Sequence, residues 1–216
     1  MANFVFCIAH FCEIHGPVTV LCTQKHQSDA LLSESSYALC ESCSLALPAG
    51  SSDRTKHTDR VSYASTLNPQ SERIFTCLTK LVMKCLSVEA VAEPLKPVFF
   101  GDTNTGYCLC KIFSIPDLHA RGGERKYSLM VVGDSESGLL NNWDIASSYI
   151  AEIISLLQQW VETRMEQRKF DSSDNGRYLR RAKIMPRSLV QLTGDEQIFM
   201  KLHLCGTELL SNMQIQ

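Results

Sequence analysis

The sequence lacks an excess of positive charge, and this absence argues against one large class of partner. Its Lys and Arg residues number 21 against 23 Asp and Glu residues, so the formal net charge of the 216-residue chain is −2. A protein that binds nucleic acid needs clustered positive charge to displace counterions from phosphates. We therefore expect no nucleic-acid partner.

A long apolar run is also absent. No uninterrupted apolar stretch approaches the roughly 18 residues that a bilayer-spanning helix needs. The apolar run at residues 4–9 follows no positively charged segment and precedes no small-residue cleavage site, so it indicates a first strand and not a signal peptide. These features predict a cytoplasmic protein whose contact with any membrane is peripheral.

The motifs of several enzyme classes are missing as well. A phosphate-binding loop of the form Gly-x-x-x-x-Gly-Lys followed by Ser or Thr does not occur, so the chain does not resemble a GTPase itself. The sequence also contains no convincing Gly-x-Ser-x-Gly nucleophile elbow and no His-Glu-x-x-His metalloprotease motif. We predict no complete active site and no cofactor.

What the sequence does contain is the composition of an ordinary globular domain. Hydrophobic residues make up 44% of the chain and charged residues 20%, values that exclude a mostly disordered protein. Its 10 cysteines are scattered through the predicted strands and helices, and a chain of this size does not need disulfides to fold. We expect reduced thiols.

The hydrophobic pattern predicts both strands and helices. Short apolar or alternating runs predict strands at residues 4–9, 18–22, 98–100, 107–115 and 126–132. Apolar residues at steps of three or four predict helices over about 69–88 and 142–167. The pattern Thr193-x-x-Glu196 is typical of a capping box and predicts a third helix. The order indicates an α/β (α+β) fold: a five-stranded, mostly antiparallel sheet with helices packed on it, plus an extra C-terminal helix.

Two segments fall outside this periodic pattern. Residues 23–68 are polar and Ser-rich, and we predict a flexible surface insertion there, within a domain that covers residues 1–168. Residues 169–216 are predicted to form a linker and the C-terminal helix. Gly206 lies inside that helix, where it costs roughly 1 kcal/mol relative to alanine.

Five segments of the chain resemble the N-terminal half of the folliculin family: HFCEIHGPVTVLCT, CESC, PVFFGD, IPDLHARGGERKYSLMVV and RSLVQLTGDEQIFMKLH. The resemblance implies a longin fold, which has the element order predicted above. Members of the family combine a longin domain with a DENN domain, and short fungal members lack the DENN half. The chain resembles these short members, with a piece of a longer protein as the alternative.

Arg121 is the candidate catalytic residue. Gly122 and Gly123 follow it, so the arginine can be presented on a protruding turn. From the residues alone, an arginine in such a loop is more often a solvated turn residue. The family resemblance implies instead an arginine finger that acts on a Rag-type GTPase. Arg125 also matches the family pattern, and we interpret it as a strand-edge charge or a partner contact.

The pair Cys40-x-x-Cys43 is half of a zinc-binding pattern. Further ligands are available in principle from His10, Cys12, His15, Cys22, His26 and His57. A lone pair of cysteines is a weak signal, so the sequence predicts no metal, with Cys40 and Cys43 as minor candidates and exposed or loosely buried thiols as the default. A thioredoxin-like redox role is disfavoured, because the motif lies in a Ser-rich loop.

The resemblance implies a function that the residues alone do not. It predicts one subunit of a heterodimeric GTPase-activating complex, paired with a homologue of the folliculin-interacting proteins. The complex would stimulate a Rag-family GTPase at the vacuolar or lysosomal membrane, in amino-acid signalling to TOR complex 1, with recruitment through its partners. The alternative is a non-catalytic longin scaffold or adaptor in signalling or membrane trafficking.

Overall fold

Seven strands make up one sheet in the computed structural model, which describes residues 3–26, 40–46, 54–57, 61–87, 96–171 and 186–213. The strands are β1 (Phe4–Cys12), β2 (Gly16–Lys25), β3 (Arg54–His57), β4 (Val61–Thr66), β5 (Val98–Asp102), β6 (Gly106–Pro116) and β7 (Glu124–Gly133). Their order across the sheet is β3-β4-β2-β1-β7-β6-β5, and every neighbouring pair is antiparallel.

Helices cover both faces of the sheet. They are α1 (Glu72–Ser87), α2 (Glu136–Asn141), α3 (Trp143–Asp171), α4 (Leu189–Thr193) and α5 (Ile198–Met213), and short 3-10 turns lie at Glu41–Cys43 and Arg121–Gly123. Successive side chains of a strand point to opposite faces. Along β1, Phe6 and Ile8 pack in the core under α3 and α5, whereas Cys7 and Ala9 pack in the core under α1.

The predicted fold class is confirmed, with two strands more than expected. All five predicted strands are present, and β3 and β4 lie within residues 23–68, where only a surface insertion was predicted. The reason is visible in the polar contacts of β4. Ser65 is buried and its hydroxyl lies 2.6 Å from that of Thr23 and 2.7 Å from Nδ1 of His203. A polar residue of β4, which is typical of a loop when only the sequence is considered, thus forms hydrogen bonds to β2 and α5.

The predicted capping box at Thr193 and Glu196 is wrong. Thr193 is the last residue of α4, and Gly194 follows it in the left-handed conformation (φ 70°), which ends the helix. The capping box that does form joins Ser188 and Gln191 at the start of α4. Each side chain bonds the backbone N–H of the other residue, at 3.4 Å and 3.2 Å.

The two long predicted helices are confirmed with shifted ends, and the helix after Gly194 continues past Gly206. The first helix spans 72–87 instead of 69–88, and the second spans 143–171 instead of 142–167. Within α5, a Cβ at Gly206 would lie 2.5 Å from Cδ1 of Phe6, so the glycine lets the helix approach β1 closely. The domain boundary at residue 168 stays a prediction.

Candidate functional site

The loop that carries Arg121 joins β6 to β7 and is closed by its own backbone. The N–H of Asp117 donates to the carbonyl of Gly123 (2.9 Å), and the N–H of Gly123 donates to the carbonyl of Ala120 (3.1 Å). Gly122 and Gly123 have φ angles of 82° and 79°, which side-chain-bearing residues rarely adopt. The sequence prediction of a protruding glycine turn is therefore consistent with the observed loop.

Arg121 combines a fixed backbone with an exposed side chain. Its N–H donates a hydrogen bond to the carboxylate of Glu13, in the turn that joins β1 to β2. Its side chain is exposed, and the part of the chain that the structure describes offers no ion pair to its guanidinium. The guanidinium is thus held close to the surface and available to another molecule.

Asp117 anchors the loop from inside the protein. Its carboxylate is fully buried and accepts from Nε of Arg125 (2.6 Å), from Nη1 of Arg187 (2.9 Å) and from the N–H of His119 (3.0 Å). Burial alone raises the pKa of this carboxyl, but the hydrogen bonds and the two guanidinium charges outweigh burial and lower the pKa below its usual value. The loop is consequently tied both to β7 and to the segment before α4.

Arg125 differs from its predicted role. We predicted a strand-edge charge or a partner contact, whereas the Arg125 side chain is buried and paired with Asp117. An arginine in such a position needs a carboxylate partner, because an unpaired buried charge is costly. Arg125 is therefore almost entirely buried and supports the loop through its pair with Asp117.

A cluster of thiols and imidazole lies beside the Glu13 turn. The ligand atoms of Cys12, His15, Cys40 and Cys43 all lie within 4.8 Å of one another. Sγ of Cys40 lies 3.5 Å from Sγ of Cys12 and 3.5 Å from Sγ of Cys43. Nδ1 of His15 lies 3.7 Å from Sγ of Cys12 and 3.4 Å from Sγ of Cys43. The pair predicted as minor metal candidates is thus joined by two of the further ligands considered.

The other candidate metal ligands from the sequence are His10, Cys22, His26 and His57, and among the described side chains none of them is a member of this cluster. Nε2 of His10 lies 3.3 Å from Sγ of Cys43, next to the cluster. Sγ of Cys22 donates toward Cys7 in the core under α1, and Nδ1 of His26 lies 3.2 Å from the Gln70 amide. The side chain of His57 is outside the described residues. Of the Cys40 and Cys43 pair, Cys43 is buried, so the expectation of exposed or loosely buried thiols is wrong for that residue, whereas Cys40 is partly exposed.

Burial, hydrogen bonds and nearby charges shift the pKa values of Cys12, Cys43 and the neighbouring His10. Burial raises the pKa of the Cys12 thiol, but hydrogen bonds from the backbone at His15 and Ile14 and from the Ser42 and Cys43 side chains outweigh it and lower the pKa to about 6. Burial and the neighbouring thiols raise the pKa of Cys43. Burial and the charge of Arg125 lower the pKa of His10 to about 4.

The surface around Arg121 is partly apolar. Leu118, Ile14 and Phe11 expose 76%, 62% and 43% of their surface. A groove of about 300 Å³ lies at the base of the loop, lined by Phe11, Glu13, Leu86, Arg121, Gly122, Glu124, Arg125 and Lys126. Exposed apolar side chains around a presented arginine are suited to contact with another protein.

The roles of Glu13 and Asp117 were missed in the sequence. Glu13 stands between two cluster residues in HFCEIHG, and Asp117 precedes the arginine loop in IPDLHARG, so both lie inside recognisable motifs. Glu13 lies 108 positions from Arg121, and Asp117 lies 70 positions from Arg187, so motif spacing gives no signal for these two contacts. On membrane association, no described helix has the length and apolar character needed to cross a bilayer.

The fold and the loop together define a class: a longin-like α/β domain that presents an exposed arginine at one end of its sheet. A family profile named folliculin, described as a vesicle coat protein involved in Golgi to plasma membrane transport, matches residues 61–213. The chain belongs to the folliculin family.

Individual relatives agree with this assignment. Folliculin of Mus musculus is 25% identical over 93% of this chain and 44% of its own length. Protein LST7 of Saccharomyces cerevisiae is 27% identical over 97% of this chain and 96% of its own length. Folliculin-like protein bhd1 of Schizosaccharomyces pombe is 30% identical over 45% of this chain and 28% of its own length. The chain therefore spans less than half the length of the mouse relative and nearly the full length of the Saccharomyces one.

Proposed function

We propose that this chain is one subunit of a heterodimeric GTPase-activating complex and supplies Arg121 to the active site of a Rag-family GTPase. The observation that carries the proposal is the presentation of Arg121. Its backbone is hydrogen-bonded to Glu13, its loop is anchored by Asp117, and its guanidinium is exposed. Membership of the folliculin family supports the choice of partner.

The chemistry of GTP hydrolysis explains why an arginine is required. Negative charge develops on the transferred phosphoryl group, and a guanidinium delivered by a partner can raise the rate by about a thousandfold to a hundred-thousandfold. The planar donors of arginine grip two oxygens at once, which lysine cannot do. A backbone that is already fixed lowers the entropic cost of placing the side chain. The GTPase would supply the nucleotide, the magnesium ion and the attacking water.

The proposed partner subunit is a homologue of the folliculin-interacting proteins. Two features of the chain suit an assembly through its sheet and helices. Among the described residues, β5 pairs with β6 alone, so its outer edge is open. Phe75 and Met83 are exposed on the outer side of α1. We place the complex in the cytoplasm and, through its partners, at the vacuolar or lysosomal membrane, in amino-acid signalling to TOR complex 1.

The test is single-turnover GTP hydrolysis by the Rag-type heterodimer, stimulated by the two-subunit complex. We expect Arg121→Ala to bind the GTPase normally and to lose most of the acceleration, and Arg121→Lys to behave similarly. Lys201→Ala is the control, because Lys201 is an exposed cation on α5, on the opposite face of the sheet from α1. Equal acceleration by the native and Arg121→Ala complexes would overturn the proposal.

A non-catalytic adaptor is the second candidate. The exposed Leu118 and Ile14 favour it, since they would support docking without any chemistry. The family description, which speaks of vesicle coat function, points to membrane trafficking as the setting. In this case Leu118→Asp would abolish partner binding, whereas Arg121→Ala would leave both binding and hydrolysis unchanged.

A further inference from the structure

We propose that Cys12, His15, Cys40 and Cys43 bind one zinc ion, which fastens the β1–β2 turn to the segment 40–46. The four residues come from two turns that are far apart in sequence. Cys12 and His15 bracket the β1–β2 turn, and Cys40 and Cys43 bracket the 3-10 turn Glu41–Cys43. The inference concerns a structural metal and stands whether or not Arg121 acts on a GTPase.

The distances between the four ligand atoms match tetrahedral coordination. Zinc binds cysteine sulfur at about 2.3 Å and histidine nitrogen at about 2.0–2.1 Å, so neighbouring sulfurs should lie about 3.8 Å apart and a sulfur and a nitrogen about 3.6 Å apart. The two closest sulfur pairs are both separated by 3.5 Å, and Nδ1 of His15 lies 3.7 Å and 3.4 Å from two of the sulfurs. The remaining pairs of ligand atoms lie within 4.8 Å, so side-chain shifts of up to about 1 Å would complete the site.

The donor set is that of a closed structural site. Three cysteines and one histidine fill the four positions of a zinc ion and leave none open for a substrate. Each pair also has a short local spacing, Cys-x-x-His and Cys-x-x-Cys. The second turn is shaped by its own backbone, because the N–H of Cys43 donates to the carbonyl of Cys40 at 3.0 Å.

Further groups around the four residues can donate to the sulfurs. The backbone N–H of Ile14 donates to Sγ of Cys12 at 3.4 Å. The hydroxyl of Ser42 lies 3.1 Å from Sγ of Cys40, and Nε2 of His10 lies 3.3 Å from Sγ of Cys43. Such outer contacts orient metal ligands and stabilise negative charge on sulfur. The sulfurs of Cys12, Cys40 and Cys43 therefore lie close together, and each has a neighbouring group, not one of the four proposed ligands, that can donate a hydrogen bond to it.

A disulfide accounts for this arrangement less well. It would join two of the three thiols and leave the third thiol and the imidazole of His15 packed against it without a bond of their own. Disulfides are also rare in the reducing cytoplasm, where we place the protein. A metal ion uses all four groups and joins turns that are distant in sequence, since 28 positions separate Cys12 from Cys40.

The two turns that hold the four ligands also reach the arginine loop and α4. Glu13, between Cys12 and His15, accepts the hydrogen bond from the N–H of Arg121. Glu41, between Cys40 and Cys43, accepts a hydrogen bond from the side-chain amide of Gln191 in α4. A zinc ion would thus stiffen the support on which the Arg121 loop rests.

The test begins with the full chain purified under reducing conditions without added metal. We expect elemental analysis and native mass spectrometry to find about one zinc ion per chain. Cys12→Ser and Cys43→Ser should each lose most of the bound zinc. Cys77→Ser is the matched control and should keep it, because Cys77 is a partly exposed thiol on α1, outside the cluster.

A second measurement covers variants that fail to fold. The native chain is stripped of metal and titrated with Co²⁺ alone, and we expect one equivalent to give the intense visible absorption of a tetrahedral thiolate site. Zinc should displace this signal. A native chain that contains no zinc and gives no such absorption would overturn the proposal. So would a disulfide that peptide mapping locates between two of Cys12, Cys40 and Cys43, or equal zinc loss in Cys77→Ser.

Discussion

The backbone N–H of Arg121 donates a hydrogen bond to the carboxylate of Glu13, a residue 108 positions earlier in the chain. The bond joins the two turns at the same end of the sheet, one between β1 and β2 and the other between β6 and β7. It fixes the peptide of the arginine and leaves the guanidinium exposed. Substitutions of Glu13 should therefore loosen the loop while leaving the Arg121 guanidinium in place. They test how much the stimulation of GTP hydrolysis depends on a fixed loop.

Glu13→Ala should reduce the stimulation of GTP hydrolysis by roughly ten- to hundredfold, because small displacements of a catalytic group have large effects on rate. Glu13→Gln keeps an oxygen acceptor and should lose less. Single-turnover hydrolysis provides the measurement, and affinity for the GTPase should stay unchanged in both variants. Zinc content should be measured alongside, so that a loosened loop is distinguished from a lost metal. Unaltered hydrolysis in Glu13→Ala would count against the supporting role of this bond.

Asp117→Ala should destabilise the protein by about 3–5 kcal/mol, because it leaves the buried Arg125 without its carboxylate. Urea unfolding of native and variant chains measures the difference. Asp195→Ala is the control: its pair with Lys201 at 2.6 Å is partly exposed, so its loss should cost about 0–1 kcal/mol. Equal losses in the two variants would contradict the anchoring role of Asp117.

The stabilisation from Asp117 should depend on pH in the acid range. Its folded-state pKa is lowered, so the contribution is fully present above the unfolded-state value of about 3.9 and is lost as pH falls through the folded-state pKa. The difference in unfolding free energy between the native chain and Asp117→Asn should be large at neutral pH and shrink in acid. Urea unfolding over a pH series measures this difference. A constant difference across the series would argue against the depressed pKa.

Gly206→Ala should destabilise the protein, although alanine is the better helix former by about 1 kcal/mol. The added Cβ would lie 2.5 Å from the buried ring of Phe6, and overpacking of this kind typically costs about 1–3 kcal/mol. Thermal or urea unfolding gives the sign directly. Ser155→Ala, on the exposed side of α3, should change stability little. A more stable Gly206→Ala protein would show that α5 can move away from β1.

The sequence predicted those elements whose signal is local. The apolar run that became β1 and the stripe that became α1 are visible without any partner. By contrast, β4 was missed because its polar residues, such as Ser65, are satisfied by partners elsewhere in the chain. The third helix was given the wrong cap, since Ser188-x-x-Gln191 and Thr193-x-x-Glu196 fit the same pattern and only the fold selects between them.

In the candidate site, too, features with a local sequence signal could be predicted, whereas features set by contacts between distant residues could not. The exposure of Arg121 follows from its glycine neighbours, and the Cys40-x-x-Cys43 pair is visible as a motif. The convergence of Cys12 and Cys40 is set by the fold, because 28 positions separate them. The burial of Arg125 likewise depends on Asp117 and on the sheet register that brings the two residues together.

The position of β1 has a consequence for the order in which the protein folds. β1 lies at the centre of the sheet, yet one of its two neighbours is β7, so Phe4 pairs with Gly133. During synthesis one edge of β1 stays unpaired until β7, more than 100 residues later, has emerged. Contacts between such distant positions slow folding, and an unpaired apolar strand invites association with other chains. The nascent N-terminal region should therefore depend on chaperones until β7 closes the sheet.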